Sequence, residues 1–160
     1  MSYTEDELST VASSLELSVL NLPMSPSSNS QYALIRRGTK TFFVSSSELQ
    51  TYKRHMAAYK RQNLAHVNAV QKQMQGWLVG GMKLGIKTVF HFERSRLFTQ
   101  KETIKKLDVS NRIKAVHDCF CTMVKIDDSN FFEVIALKKW VHNKGEERVD
   151  LYIYPIIEDN

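Results

Sequence analysis

Six residues in one short window carry carboxylate, amide or amine groups at spacings that suit phosphodiester chemistry. They lie in "KKLDVSNRIKAVHDCF" (105–120) and, a few residues on, "KIDDSNFF" (125–132). On a helix beginning near Ser110, the side chains of Asn111, Lys114 and Asp118 fall at i, i+3 and i+7, one face. Asp108 stands just before the first turn, so these four groups are expected within reach of one point. Asp127 and Asp128 follow the helix by a short loop and open the next strand, and are expected to fold back to the same point. Carboxylates gathered in this way repel one another unless a cation or a lysine offsets them. Mg²⁺ is usually held by one or two carboxylates together with waters and substrate phosphate. A metal so held activates a water and stabilises the leaving oxygen, while Lys114 supplies fixed positive charge where negative charge builds on phosphorus.

Each residue also has a plainer use. Asp108 or Ser110 could cap the helix, Lys114 and Asp118 could form an i, i+4 surface pair, and Asp127-Asp128 could make an ordinary turn. Their coincidence in one window of a basic protein favours a site. Other chemistries find less support. His55, His66, His91, His117 and His142 are scattered without triad or metal spacing. No serine sits in a nucleophile-elbow context, and no glycine-rich phosphate loop is present. Cys119 and Cys121, at i and i+2 of a helix, point apart and cannot bridge each other. With no second pair, zinc is not indicated, and buried thiols in a reducing compartment are expected.

Charge is distributed unevenly along the 160 residues. Residues 1–35 carry four acidic side chains and no Lys or Arg, and residues 36–114 carry 17 Lys/Arg against four acidic residues. The remainder has five Lys/Arg against nine Asp/Glu. A basic middle followed by an acidic cluster suits a protein that attracts a polyanion and then acts on it. The length allows one domain with a real core. No apolar run approaches the ~20 residues of a membrane span, and "MSYTEDELST" lacks the basic and apolar regions of a secretory signal. A soluble, cytoplasmic protein is the expectation.

These groups need elements to position them. Residues 1–13 are expected as a polar tail, and 14–157 as one folded domain. "SLELSVL" alternates as a strand does and runs into the loop "NLPMSPSSNS". "QYALI", "RRGTK" and "TFFVS" indicate strand, glycine-containing turn and strand. Residues 45–77 give the clearest helix, with Leu49, Tyr52, Met56, Tyr59, Val67, Val70 and Met74 on one stripe. Ser45 with Glu48, or Ser47 with Gln50, offers a capping box. Lys53, Arg54, Lys60, Arg61 and Lys72 keep the other side wet, and Gly76, Gly80 and Gly81 close the helix. "IKTVFHFER" is a long strand, 95–107 a basic loop, and 111–124 a second helix. "FFEVIALKKWV" and "RVDLYIYPI" are expected as a closing hairpin across "HNKGEE". The order β-β-β-α-β-α-β-β indicates an α+β domain, a mixed or antiparallel sheet with two helices packed on it.

"LDVSNRIKAVHD" followed by "IDDSNFFEV" resembles the RusA family of Holliday-junction resolvases, found in phages and prophages. "LNLPMSPSSNSQY" matches the family's strand and Pro-Ser-x-Asn loop, "FFVSSSELQTYKRHM" its strand-to-helix passage, and "ERVDLYIY" its last strand. The resemblance covers roughly residues 14–155. It implies a small α+β homodimer that nicks four-way DNA junctions with Mg²⁺, with Mn²⁺ able to substitute, and needs no other cofactor. It assigns catalysis to Asp108, Lys114 and Asp128, and metal binding to Asp108, Asp128, Asp127 and Asp118. Asn29, Arg36, Arg37, Lys105, Lys106, Asn111 and Arg112 are the expected DNA contacts. Ser110 departs from the pattern, standing where the family's acidic segment has a second aspartate, and weaker metal binding is expected from that loss.

The leading reading is therefore a metal-dependent, structure-selective endonuclease for branched DNA in recombination and repair, acting in the cytoplasm of a bacterial or phage-infected cell. A rival is a junction-binding protein of the same fold that lacks hydrolysis because of Ser110. A basic RNA-binding module is weaker still, since the aromatic motif of a base-stacking sheet is absent.

Overall fold

The computed structural model describes residues 18–27 and 32–157. The tail expected over 1–13, the start of the first expected strand and Asn29 lie outside them. The elements run β1 (Ser18–Leu22), β2 (Tyr32–Arg37), β3 (Lys40–Ser45), α1 (Ser47–Gln62), α2 (Leu64–Val79) and β4 (Lys83–Glu93). A single turn α3 (Arg94–Leu97), then α4 (Ser110–Val124), β5 (Phe131–Val141) and β6 (Arg148–Ile156) complete the chain. The domain is α+β, as its element order indicated.

Alternating apolar residues make the strands, and their partners make the sheet. Four strands pair in the order β1-β6-β4-β5, and β2-β3 forms a separate two-stranded ribbon. β4 is antiparallel to β6 and parallel to β5. The expected closing hairpin does not form, because β4 lies between β5 and β6. Alternation tells which face a residue takes, not which strand it pairs with. Parallel pairing of β4 and β5 needs a long crossover, and residues 94–130, with α4, supply it.

One face of this sheet carries the core. Leu84, Ile86, Phe90 and Phe92 of β4, Val149, Leu151 and Ile153 of β6, and Leu20 and Leu22 of β1 are buried in one cluster. Helices cover them with Leu49, Tyr52 and Met56 from α1, Val67, Val70 and Met74 from α2, and Ala115, Val116, Phe120 and Val124 from α4. The long helix expected over 45–77 is two helices, interrupted at Asn63 (φ −123°, ψ 31°). Its amide nitrogen Nδ2 and its backbone N–H both donate to the Tyr59 carbonyl, at 3.0 and 2.9 Å. Asparagine competes in this way with the helical ladder, and a one-residue break leaves the apolar stripe legible on both sides. The cap of α1 is Ser46, whose Oγ accepts from the Leu49 N–H at 3.1 Å, rather than Ser45 or Ser47. The expected loop at 95–107 contains α3 and an isolated bridge between Phe98 and Ile104.

Two glycines are required by geometry. Gly38 turns the β2-β3 ribbon at φ +62°, a conformation a side chain resists. Gly85 of β4 lies beneath the ring of Tyr154 from β6, where a Cβ would collide with the ring carbons. The Tyr154 hydroxyl reaches across it and donates to Glu133 of β5. Three strands are thereby tied on the face away from the helices.

Candidate functional site

α4 carries the window's chemistry, and its two ends differ. At the N-terminal end, Asp108 Oδ1 accepts from the Ser110 backbone N–H at 2.9 Å and from its hydroxyl at 2.8 Å. The side-chain capping of the first turn therefore comes from Asp108, satisfying an amide that the helix leaves open. The Ser110 hydroxyl, then its amide, and beyond them Lys138 and Lys106, hold the Asp108 carboxyl below the usual carboxylate range. Lys138 of β5 donates to the Leu107 carbonyl at 3.0 Å, which ties this end to the middle of β5.

One turn on, Lys114 Nζ donates to Asp118 Oδ2 at 3.0 Å, and both side chains are exposed. The remaining acids sit past the other end. Lys125, in the left-handed region at φ 55°, ends α4, and Asp127 Oδ1 accepts from the Ser129 N–H at 2.8 Å to start a single 3-10 turn at Asp128–Asn130. The Ser129 contacts hold the Asp127 carboxyl below its ordinary range. Asp118, Asp127 and Asp128 line one open cleft with Cys121, Thr122 and Lys125. Burial, and then the charges of Asp128, Asp118 and Asp127, push the Cys121 thiol up to about 12. Cys119 is raised too, chiefly by burial, so both cysteines are half-buried neutral thiols.

The expectation that all the acids meet at one point is not met within one chain. α4 has 15 residues, about 22 Å at 1.5 Å per residue, with Asp108 before it and Asp127-Asp128 after it. The helix is continuous, and Asp127-Asp128 stand at its far end, before β5 runs back along it to bring Lys138 to the Leu107 carbonyl. Among the described residues, no three His, Cys, Asp or Glu side chains gather where they could hold a metal ion. Within one chain Asp108 therefore stands apart from the cleft that Asp118, Asp127 and Asp128 line.

The expected DNA contacts divide as well. Arg36 and Arg37 are exposed at the end of the β2-β3 ribbon, and Lys105 and Lys106 are exposed beside α3. Lys105 Nζ donates to the Ser95 carbonyl at 2.7 Å. Asn111 is half-buried in the first turn of α4. Arg112 turns inward. Its guanidinium lies over the Phe92 ring at 5.2 Å and donates to the Ser25 carbonyl, while the Ser25 hydroxyl donates back to the Arg112 carbonyl at 3.2 Å. It joins the Pro-Ser loop to α4.

Sequence reasoning missed the polar network beside this clamp. Arg96 Nη1 donates to both carboxylate oxygens of Glu147 at 2.9 Å, and Glu147 also accepts from the Glu93 N–H at 2.8 Å. Ser25, Thr51, His55, Arg96, Arg112 and Glu147 face one pocket. Only the Pro-Ser loop signalled it in sequence.

The family model for the endodeoxyribonuclease RusA matches residues 23–154. This chain belongs to the RusA family. The match spans the Pro-Ser loop, α4, both acidic groups and most of β6. No curated protein matches the chain closely. RusA membership implies Holliday-junction resolvase endonuclease activity, and the RusA family acts on branched DNA junctions. RusA resolvases are generally dependent on a divalent metal.

Proposed function

We propose that this chain is a Mg²⁺-dependent endonuclease that resolves Holliday junctions and other branched DNA by paired, symmetric nicks, working as a cytoplasmic homodimer. The family match over residues 23–154 carries this reading. The distribution of charge supports it. Arg36, Arg37, Lys105 and Lys106 are exposed and suit phosphate contacts, which position a duplex without reading its sequence. Lys114 stands exposed near Asp118 on the same helix whose start is capped by Asp108, and offers positive charge to a phosphodiester. A two-fold protein matches the two-fold character of a four-way junction. The metal enters through the family, and Asp118, Asp127 and Asp128, which line one cleft, are the carboxylates that one chain brings together.

The separation of Asp108 from that cleft, with Ser110 hydrogen-bonded to Asp108, favours a second reading: a RusA-fold protein that binds junctions without cutting them. A junction-cleavage assay in Mg²⁺, Mn²⁺ and EDTA, beside a binding assay in Ca²⁺, decides between them. Symmetric cuts in Mg²⁺ and Mn²⁺ that EDTA abolishes are expected. Binding without cutting in any metal would leave the second reading.

A further inference from the structure

The pocket between the Pro-Ser loop, the start of α1 and the first turn of α4 shares no residue with the carboxylate cleft. Its volume is about 430 Å³, within the range of small-ligand sites. Two polar atoms of its lining residues are orphaned. The Tyr52 hydroxyl and Arg112 Nε are both buried, and among the described residues neither has a hydrogen-bond partner. Tyr52 is only 2% exposed, so bulk water does not serve its hydroxyl. A buried donor left open costs stability, and few such groups persist in folded proteins without a reason.

Charge in the pocket is unbalanced in the same direction. The guanidinium groups of Arg96 and Arg112 each lie 5.2 Å from the centre of the Phe92 ring. Glu147 accepts two bonds from Arg96, whereas Arg112 donates to the neutral Ser25 carbonyl. One carboxylate thus stands against two arginines. Glu48 lines the pocket too, but it is exposed in the first turn of α1, where it answers the dipole of its own helix. We propose that this pocket binds a phosphate group, whose oxygens accept from Arg112 Nε and the Tyr52 hydroxyl. A phosphate brings acceptors and negative charge together. A neutral ligand would fill the hydrogen bonds and leave the charge of Arg112 unanswered. The source of the phosphate rests on the nuclease reading above: a backbone phosphate of the junction. Arg112 stands one turn along from Asp108, so a strand anchored here passes the start of α4.

Titration of the full chain with inorganic phosphate, followed at the Arg112 Nε resonance by NMR, tests the pocket. A saturable shift is expected with phosphate, and none with chloride at the same ionic strength. Tyr52→Phe keeps the ring and removes only the hydroxyl. It should weaken phosphate binding at least about tenfold, the scale of a hydrogen bond to a charged group. Its urea midpoint should be no lower than that of wild type, because the lost hydroxyl had nothing to bond. A four-way junction added in EDTA should displace the phosphate. Phosphate that binds but is not displaced would support the pocket and assign it to a small phosphate ester. No saturable shift with phosphate or junction would overturn the proposal. So would a Tyr52→Phe chain that binds phosphate as wild type does but unfolds at lower urea, since the hydroxyl would then serve the fold. Junction cutting in Mg²⁺ by a chain whose Arg112 resonance never responds would sink the pocket and leave the nuclease reading intact. A chain that binds phosphate there and never cuts would do the reverse.

Discussion

β4 and β5 are neighbours, parallel, and each 11 residues long, yet they live in different surroundings. β4 has hydrogen-bonded strands on both sides and is buried at most positions, including Val89 on the face away from the helices. β5 has one neighbour and is exposed at most positions. Both sequences are rich in apolar residues, so composition makes both strands and pairing decides which is core. Stability should therefore concentrate in β4, while β5 should tolerate change in the monomer and matter for contact with other molecules.

The largest test sets equivalent truncations side by side. Phe90→Ala empties a fully buried site packed near Phe92 and should cost about 3–5 kcal/mol in urea unfolding. Leu137→Ala removes a side chain that is already 38% exposed and should cost less than about 1 kcal/mol under conditions where the chain is monomeric. Equal losses would mean that β5 is covered in solution by part of the same chain.

The crossover helix repeats the contrast on its two faces. Phe120 and Val124 of α4 are fully buried, whereas Lys114 and Asp118 are exposed. Lys114→Ala should lower junction-cleavage turnover by about 10²-fold, the scale for a lost stabiliser of transition-state charge. It should cost less than about 0.5 kcal/mol of stability, as exposed pairs do. Unchanged turnover would reduce Lys114 to a surface partner of Asp118.

A smaller effect is expected where the two strands are stitched together. Gly85→Ala puts a methyl group against the Tyr154 ring, which must move away from Glu133. About 1–3 kcal/mol of stability should be lost, as in other overpacked sites. In a Tyr154→Ala background the same substitution should cost much less, because the ring that it meets is gone. A cost independent of Tyr154 would place the strain in the β4 backbone itself.

These contrasts mark how far the sequence could be read. The strands, the amphipathic stripe from Leu49 to Met74 and the helix at 111–124 follow from period and composition, which act locally. The break at Asn63 stayed hidden because one extra residue hardly disturbs the stripe. The placement of β4 between β5 and β6 stayed hidden because alternation carries no information about partners. For the site, the window at 105–132 was legible as chemistry, and the pair Lys114–Asp118 forms at the expected spacing. The gathering of all the acids was not legible, since helix spacing fixes a face but leaves the ends of α4 a helix length apart. Arg112 illustrates the same limit. Its charge suggested DNA, but Phe92 and Ser25, far away in sequence, take it inward.

The smallest effect concerns protons on β4. His117 of α4 is held against that strand by its Nε2, 2.9 Å from Thr88 Oγ1. Burial lowers its pKa from the ordinary histidine value, and the nearby charges of Asp118 and Asp128 only partly oppose this. On the other face, burial also lowers His91, against the pull of Asp150, whose Oδ2 lies 2.9 Å from Nε2; Arg148 and Lys139 lower it further. In both cases the folded chain binds a proton less readily than the unfolded chain, whose histidines titrate near about 6.5. Below that pH the unfolded state holds more protons, so stability must fall as pH drops from 7 toward 5. Replacing His117 with Gln keeps a hydrogen-bonding group for Thr88 but removes the titration. Urea unfolding of that variant at pH 7, 6 and 5 should show a shallower decline than wild type. Ile135→Ala, in β5 and away from both rings, should leave the wild-type slope unchanged. A His117→Gln slope equal to that of wild type would move the acid sensitivity of β4 to His91 and its Asp150 partner.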